Sequence, residues 1–214
     1  TLLHDVLEDT PTTEAEMKAE FGPVITDLVV GVTKLGQLEL SSTELSREAQ
    51  QAENFQKFVL AMSKDIRVLI VKLCDRLHNM RTLEFHPKRA SQVRIATETM
   101  DIYAPLARKI GVERICAELE DLAFSYIDPE AFTGLQTKLT SWRASQETAI
   151  SSLSILLRDL LVENNIPARV FGREKRPYAI WRKLQRQGIS FKDVADIYAF
   201  RAIVGSIKDC YDVL

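Results

Sequence analysis

Hydrophobic residues along roughly the first 128 positions recur with the spacing of amphipathic α-helices. Thr13 followed by Glu16 forms a capping-box pair that begins a helix, and Gly22-Pro23 ends that helix and starts another. The pattern then predicts a polar connection and four further helices, over 36–46, 47–62, 65–84, 88–108 and 112–126. Pro105 predicts a kink or break within the third of these helices, because proline lacks the backbone N–H that the helix needs.

A second pattern begins at Asp128-Pro129. Residues 129–165 form a long polar amphipathic segment whose apolar positions keep no heptad, so they predict a helical bridge rather than a coiled coil. Strand-like alternation, a helix ended by Gly188 and a strongly β-branched run then follow, over 168–173, 177–187 and 196–204. We therefore predict a mainly α chain that ends in the start of an α/β domain.

Composition narrows the possible functions. The chain has 214 residues, 46% hydrophobic and 27% charged, which is enough to form one or two ordinary domains. Its net charge is −2, with a pI near 6.0, so phosphate recognition must be local and direct nucleic-acid binding is not expected. No apolar run approaches the length of a membrane span, and we expect no membrane partner.

Three cysteines are far apart in the chain, at positions 74, 116 and 210. Their odd number and apolar surroundings predict reduced core cysteines and a cytoplasmic protein. The chain begins at Thr1 inside a motif and stops at Leu214 inside an apparent element. We expect it to be a fragment of a longer protein.

The first ten residues concentrate charge of one sign. His4, Asp5, Glu8 and Asp9 fall within little more than two helical turns, with no lysine or arginine before Lys18 to offset the three carboxylates. Helical i, i+4 spacing would place His4 over Glu8 and Asp5 over Asp9. Carboxylates this close together repel one another unless a cation neutralises them, and a histidine beside an aspartate suits a divalent metal. The alternative is a solvated acidic helix end.

A second polar stretch supplies a third ligand, Asp75. On a wheel of about 100° per residue, Asn79 and Thr82 lie close to Asp75. Val68 and Val71 share that side, so the face is partly apolar, as a site lining would be. The opposite side forms the predicted core stripe of Ile66, Leu69, Ile70, Leu73, Leu77 and Met80. Three basic residues nearby can meet phosphate or simply be solvated: Lys72, Arg76 and Arg81.

Residues 169–186 form a basic cluster. It contains seven basic residues and the single acid Glu174: Arg169, Arg173, Lys175, Arg176, Arg182, Lys183 and Arg186. Such density beside a strand and a helix suits a polyphosphate, the alternative being a solvated basic helix. Asp196, which leads the next strand, can hold magnesium against phosphates. There is no glycine-rich Walker loop, which excludes a P-loop enzyme.

An adjacent His-Asp pair with a distant third aspartate is the signature of a metal-dependent phosphohydrolase of the HD type. Together the motifs closely resemble the RelA/SpoT family, enzymes that make and destroy the alarmone (p)ppGpp. The resemblance spans essentially the whole chain and rests on residues 3–10, 51–55, 65–68, 72–82, 103–107, 172–175 and 196–201. The intact hydrolase motifs resemble the bifunctional or SpoT-like branch rather than the synthetase-only branch.

This resemblance implies roles for the residues of the first site. His4, Asp5 and Asp75 would be manganese ligands. Glu8 and Asp9 would activate or orient the attacking water. Asn79 and Thr82 would contact the guanosine nucleotide.

In the second domain the same resemblance implies an ATP site. Arg173 would stack on adenine, Lys175 and Lys183 would contact phosphates, and Asp196 would hold magnesium. The chain departs from the family pattern in three ways. The family's first metal-binding histidine lies upstream of His4, a usual serine is replaced by Ala179, and the later synthetase glutamate would lie beyond the last residue. We therefore expect no working synthetase in these 214 residues.

The sequence thus predicts an HD-type hydrolase domain over 1–128, a helical linker over 129–165 and the start of a nucleotidyltransferase-like synthetase domain over 166–214. The expected reaction is manganese-dependent removal of the 3′-pyrophosphate from (p)ppGpp. The opposing activity would transfer pyrophosphate from ATP to GDP or GTP. Two alternatives are an HD phosphohydrolase for another nucleotide, against which Asn79 and Thr82 argue, and a silent regulatory module, against which the intact acidic residues argue.

Overall fold

The computed structural model describes residues 2–40 and 65–214, with the side chains of 36–40 excepted. The predicted helix over 47–62 and the motif over 51–55 therefore lie outside the described residues. The chain divides into two compact units, one up to Ile127 and one from Asp128 to Leu214. Each unit is described by itself.

The described part of the first unit is helical. Its α-helices are α1 (Val6–Asp9), α2 (Glu14–Leu40), α3 (Ile66–Arg81), α4 (Arg89–Glu98), α5 (Ala104–Lys109) and α6 (Glu113–Ile127). A 3₁₀ turn, Leu83–Phe85, follows α3, and a π-helical turn, Thr99–Tyr103, joins α4 to α5.

Helix α2 begins with the predicted capping box. The Thr13 N–H donates to Glu16 Oε2 at 2.8 Å, and the Glu16 N–H donates to Thr13 Oγ1 at 3.3 Å. Gly22, at φ 78°, breaks the helical backbone before Pro23 as predicted, and helical structure resumes beyond this kink. It continues to Leu40, so the predicted connection over 36–46 is wrong for its first five residues. Four of those five, Gln-Leu-Glu-Leu, are good helix formers.

Helix α3 buries a face shifted from the predicted one. Leu69, Leu73, Leu77 and Met80 are buried as predicted, whereas Ile66 and Ile70 are 45% and 41% exposed. Val68, predicted on the site face, is 5% exposed and packs against α2. The close approach is at Gly31, where an added Cβ would lie 2.8 Å from Val68 Cγ2. The contact with α2 thus turns this end of α3.

The predicted break near Pro105 takes the form of the π-helical turn. Pro105 has no N–H for an α-helical bond to Asp101, and the preceding residue bonds differently: the Ala104 N–H donates to the carbonyl of Thr99, five residues back. The Thr99 hydroxyl donates to the Ile95 carbonyl at 2.7 Å and lies 3.3 Å from Met80 Sδ. The turn is thereby fixed against α3.

The core of the first unit lies between α2, α3, the π-helical turn, α5 and α6. Its fully buried side chains include Leu69, Leu73, Met80, Tyr103 and Leu119. This core fixes the buried side of α3, and Asp75 on the same helix contacts His4, which precedes α1.

The second unit combines one long helix with a small sheet. Its elements are α7 (Pro129–Glu163), β1 (Ala168–Glu174), α8 (Pro177–Gln187), a 3₁₀ turn (Phe191–Asp193), β2 (Tyr198–Val204) and α9 (Ile207–Asp212). Strands β1 and β2 are antiparallel, with Ala168 opposite Val204 and Glu174 opposite Tyr198. Gly188, at φ 62°, ends α8 as predicted. The predicted fold class, mainly α followed by the start of an α/β domain, is confirmed.

The cysteines depart in part from the prediction. All three are free, and Cys116 is buried, but Cys74 is only partly buried and Cys210 is exposed. Helix α9, which carries Cys210, buries none of its residues, so it offers no core to join. Among the described residues, no helix combines the length and hydrophobicity needed to cross a membrane.

Candidate metal centre and basic cluster

Two distant segments bring His4, Asp5 and Asp75 together. His4 Nε2 lies 2.9 Å from Asp5 Oδ2 and 3.0 Å from Asp75 Oδ1. One ligand atom from each residue lies within 4.8 Å of the other two. In the stretches that the structure describes, this is the one such group of histidine, cysteine and acidic side chains.

The donor set fits a divalent cation. It offers two carboxylate oxygens and one imidazole nitrogen, and a single His4 nitrogen contacts both carboxylates. Asp75 and His4 have side chains only 12% and 19% exposed, whereas Asp5 is 49% exposed. The centre is therefore sheltered on the α3 side and open to solvent on the Asp5 side.

Asp75 has two further polar neighbours on its own helix. Asn79 Nδ2 donates to Asp75 Oδ1 at 3.2 Å, and Lys72 Nζ lies 3.6 Å from Asp75 Oδ2. These contacts come from positions one turn on either side. They orient the carboxylate, and Lys72 offsets part of its charge.

Helix α1 is shorter than the sequence pattern implied. It begins at Val6, so His4 precedes it and does not stand over Glu8 by helical spacing. Asp5 is the residue before the first turn, and its carbonyl accepts from the N–H groups of Glu8 and Asp9 at 2.9 and 2.8 Å. Glu8 and Asp9 are exposed, one turn after the ligand pair.

The predicted nucleotide contacts lie at the end of α3. Asn79 and Thr82 are both exposed. The Thr82 hydroxyl donates to the His78 carbonyl at 3.1 Å, while Asn79 already bonds to Asp75. Asn79 thus connects the candidate metal centre with the outer part of the same helix face.

Two of the nearby basic residues contact protein carboxylates. Arg76 lies against Glu98 at 3.3 Å, and Arg81 contacts Glu118 through two nitrogens at 2.5 and 2.6 Å. Their partners are 22 and 37 residues away in the chain. No local spacing signal could have identified these pairs, because packing alone brings the partners together.

In the second unit, Asp196 lies between two lysines. Lys175 Nζ and Lys183 Nζ each lie 2.5 Å from one of its oxygens. Hydrogen bonds from Lys175 and then Lys183 lower the pKa of Asp196 to about 2. The Lys175 N–H also donates to the Ile197 carbonyl at 2.7 Å, which continues the sheet to this site.

Arg173 lies on the exposed side of β1, opposite Ala199. The next residue, Glu174, accepts a two-pronged contact from Arg143 of α7 at 2.7 and 2.6 Å. This hydrogen bond raises the pKa of Arg143. Arg143 thereby neutralises Glu174, the one acid within the basic cluster. The two residues are 31 positions apart, and no sequence motif indicated their contact.

Two known protein families match the chain. Residues 1–113 match the family described as "HD domain". Residues 172–214 match the family described as "Region found in RelA / SpoT proteins". The first match contains the candidate metal centre, and the second contains Arg173, Lys175, Lys183 and Asp196.

Curated relatives align along the whole chain. A GTP pyrophosphokinase of Myxococcus xanthus is 47% identical over 213 residues, which are 100% of this chain and 28% of the relative. A guanosine-3′,5′-bis(diphosphate) 3′-pyrophosphohydrolase of Haemophilus influenzae is 44% identical over all of this chain and 31% of its own length. The bifunctional (p)ppGpp synthase/hydrolase SpoT of Escherichia coli is 42% identical, over 100% of this chain and 30% of its own. The chain spans less than a third of these relatives.

Proposed function

The chain belongs to the HD-domain family and carries a region found in RelA / SpoT proteins, and from this we propose that it is part of an enzyme that removes the 3′-pyrophosphate of (p)ppGpp. The observation that carries the proposal is the convergence of His4, Asp5 and Asp75 within 4.8 Å. The products would be GDP or GTP and pyrophosphate. Residues 1–128 would form the hydrolase domain.

His4, Asp5 and Asp75 would hold the metal. Manganese suits the set, because carboxylate oxygens favour it and one imidazole is compatible with it. When bound, such a metal activates water and stabilises charge that develops on the phosphate oxygens. Lys72 and Asn79 would keep the Asp75 carboxylate turned toward the centre, as their contacts at 3.6 and 3.2 Å support.

Glu8 and Asp9 would act on the attacking water rather than on the metal. Both are exposed and lie one turn after Asp5, whose carbonyl accepts hydrogen bonds from their N–H groups. A carboxylate there can accept a proton from water or orient it by hydrogen bonding. Asn79 and Thr82 would contact the guanosine nucleotide, since both are exposed on the face that carries Asp75.

Residues 166–214 would begin the domain for the opposing reaction, with 129–165 as the helical link. Lys175 and Lys183 would contact the ATP phosphates, Arg173 would stack on adenine, and Asp196 would hold magnesium. The support is the basic cluster itself and an aspartate that hydrogen bonds from both lysines keep ionised, with its pKa about 2. The longer protein would transfer pyrophosphate from ATP to GDP or GTP.

The deciding experiment uses purified full-length protein with ppGpp and manganese. We expect GDP and pyrophosphate in equal amounts, and loss of the reaction when a chelator removes the metal. Metal-dependent hydrolysis of other nucleotides in place of ppGpp would favour the second candidate, a different HD phosphohydrolase. Binding of ppGpp without turnover under any divalent metal would show a regulatory module.

A further inference from the structure

Arg76 directly follows the candidate ligand Asp75, and its side chain is anchored at two points. Its guanidinium contacts the Glu98 carboxylate at 3.3 and 3.4 Å and donates to the Tyr103 hydroxyl at 2.8 Å. The guanidinium carbon also lies 4.0 Å from the centre of the Tyr103 ring. The Arg76 side chain is only 11% exposed.

The π-helical turn makes this double contact possible. Glu98 and Tyr103 are five residues apart, which in an α-helix of about 100° per residue would direct them roughly 140° apart. A π-turn bonds residue i to i+5 and so brings residues of this spacing onto the same side. Both side chains therefore meet Arg76 from one surface, which a regular α-helix would not offer.

The network is mutually dependent. Tyr103 is fully buried, and a buried phenolic hydroxyl requires a hydrogen-bond partner, which Arg76 provides. Glu98 balances the charge of Arg76, which solvent reaches little at this depth. Each member thus holds the others in place, so Arg76 is tied to a fixed point of the core.

We infer that Arg76 is a positioning residue for the metal centre, one that fixes the rotation of α3 and thereby the direction of Asp75. Adjacent helical side chains diverge by about 100°, so an anchor at Arg76 resists turning of the helix about its axis. A turn of about 10° would move a carboxylate lying roughly 5–6 Å from the axis by about 1 Å. Such an error is enough to disturb ligation and catalysis.

This inference rests on the proposed function for its catalytic part only, because metal binding can be measured without nucleotide. The test titrates Mn²⁺ alone into the full-length protein, with the free ion followed by electron paramagnetic resonance. Arg76→Met is expected to weaken Mn²⁺ binding by roughly 10–100-fold, the range seen when residues that orient metal ligands are lost. At saturating metal, kcat should fall while KM for ppGpp changes less than kcat.

Arg81→Met is the matched control. Arg81 lies on the same helix and pairs with Glu118 of α6, but it is six positions from Asp75. Both variants should lose thermal stability, whereas only Arg76→Met should lose Mn²⁺ affinity. Arg76→Lys should restore little, because an ammonium cannot contact the carboxylate and the phenol with a planar fork.

Tyr103→Phe removes only the hydroxyl that accepts from Arg76 and keeps the ring. This variant tests the role of Arg76 if Arg76→Met does not fold. It should weaken Mn²⁺ binding in the same direction by a smaller factor. Wild-type Mn²⁺ affinity in both folded variants, or an equal loss in Arg81→Met, would overturn the inference. A wild-type protein that binds Mn²⁺ but leaves ppGpp intact would instead overturn the proposed function.

Discussion

Asp75 and Asp196 were both predicted to hold metal, and the two units surround them very differently. Asp75 is 12% exposed and shares its site with a second carboxylate and an imidazole. Asp196 is 52% exposed and contacts two ammonium groups. Two carboxylates and an imidazole nitrogen converge at Asp75, which favours a cation, whereas two ammonium groups surround the single carboxylate of Asp196 and favour an anion.

The difference indicates an order of binding in the second unit. A magnesium ion that approaches Asp196 meets Lys175 and Lys183, which already neutralise the carboxylate. Phosphates can draw these lysines away, since they offer more oxygen acceptors than one carboxylate does. We therefore expect Asp196 to take a metal only together with a nucleotide, and the His4–Asp5–Asp75 centre to take one alone.

The largest effect should come from Asp75→Asn in the full-length protein. An amide keeps the shape but removes the negative charge that a cation requires, so manganese-dependent hydrolysis should fall below detection. The loss should exceed the roughly 10–100-fold expected for a residue that only orients a ligand. Measurement of ppGpp hydrolysis with circular dichroism on the same samples separates lost chemistry from lost folding.

Asp27→Asn provides the control, because Asp27 is an exposed aspartate of the same unit on α2. It should hydrolyse ppGpp like the wild type. If Asp75→Asn hydrolysed ppGpp as fast as Asp27→Asn, the proposed metal site at Asp75 would be wrong.

Glu8→Gln should have the next largest effect. Its expected role is on the attacking water, so kcat should fall by about 100-fold or more, as for a lost general base. Mn²⁺ affinity should change little, since Glu8 lies outside the group of three ligand atoms. Parallel kinetics and metal titrations test this. If metal affinity falls and the rate per bound metal is unchanged, Glu8 is a ligand instead.

These expectations show what the sequence could supply. The capping box at Thr13, the end of α8 at Gly188 and both strands were predicted, because each depends on neighbouring residues. His4, Asp5 and Asp75, which the structure brings together, were predicted as metal ligands from the acidic first ten residues and the His-Asp signature, and the family resemblance implied the same roles. The sequence did not predict the contacts of Arg76 and Arg143, whose partners packing alone selects. Pro105 predicted an interruption but not its π-helical form.

A moderate effect is expected for ATP binding in the second unit. Residues 1–214 should bind ATP weakly and release it as salt rises, because the contacts are mainly electrostatic. Lys183→Met should reduce that binding by about tenfold, the size of one charged hydrogen bond. Lys192→Met is the control, since Lys192 is an exposed lysine of the same unit. Equilibrium dialysis at two salt concentrations measures both.

Residues 1–214 alone should not convert ATP and GDP into ppGpp. One carboxylate, already paired with two lysines, is a poor site for a metal that must direct the transfer. Clear formation of labelled ppGpp by this chain alone would show that its synthetase site is complete.

The smallest effect concerns thiol reactivity and needs no mutation. Cys116 is fully buried, and burial raises the pKa of its thiol, so little thiolate is available and reagents cannot reach it. Cys210 is exposed. A thiol reagent at pH 8 should modify Cys210 rapidly and Cys116 only after unfolding, as peptide mass spectrometry can show. Because the thiol pKa is higher in the folded state than in the unfolded state, the buried neutral thiol contributes fully to stability below the unfolded-state pKa. That contribution is lost as pH rises through the folded-state pKa. Rapid labelling of Cys116 in the folded protein would contradict this account of the core.

Helix α1 is four residues long and buries none of them, so little apolar packing holds it to the rest of the unit. Its neighbours His4 and Asp5 nevertheless meet Asp75 across 71 residues of chain. A shared cation would close that loop much as a cross-link does, and would make unfolding of this segment more costly. Metal supply would then set how readily a protease cuts the chain at α1, which would link resistance to proteolysis to the availability of the metal.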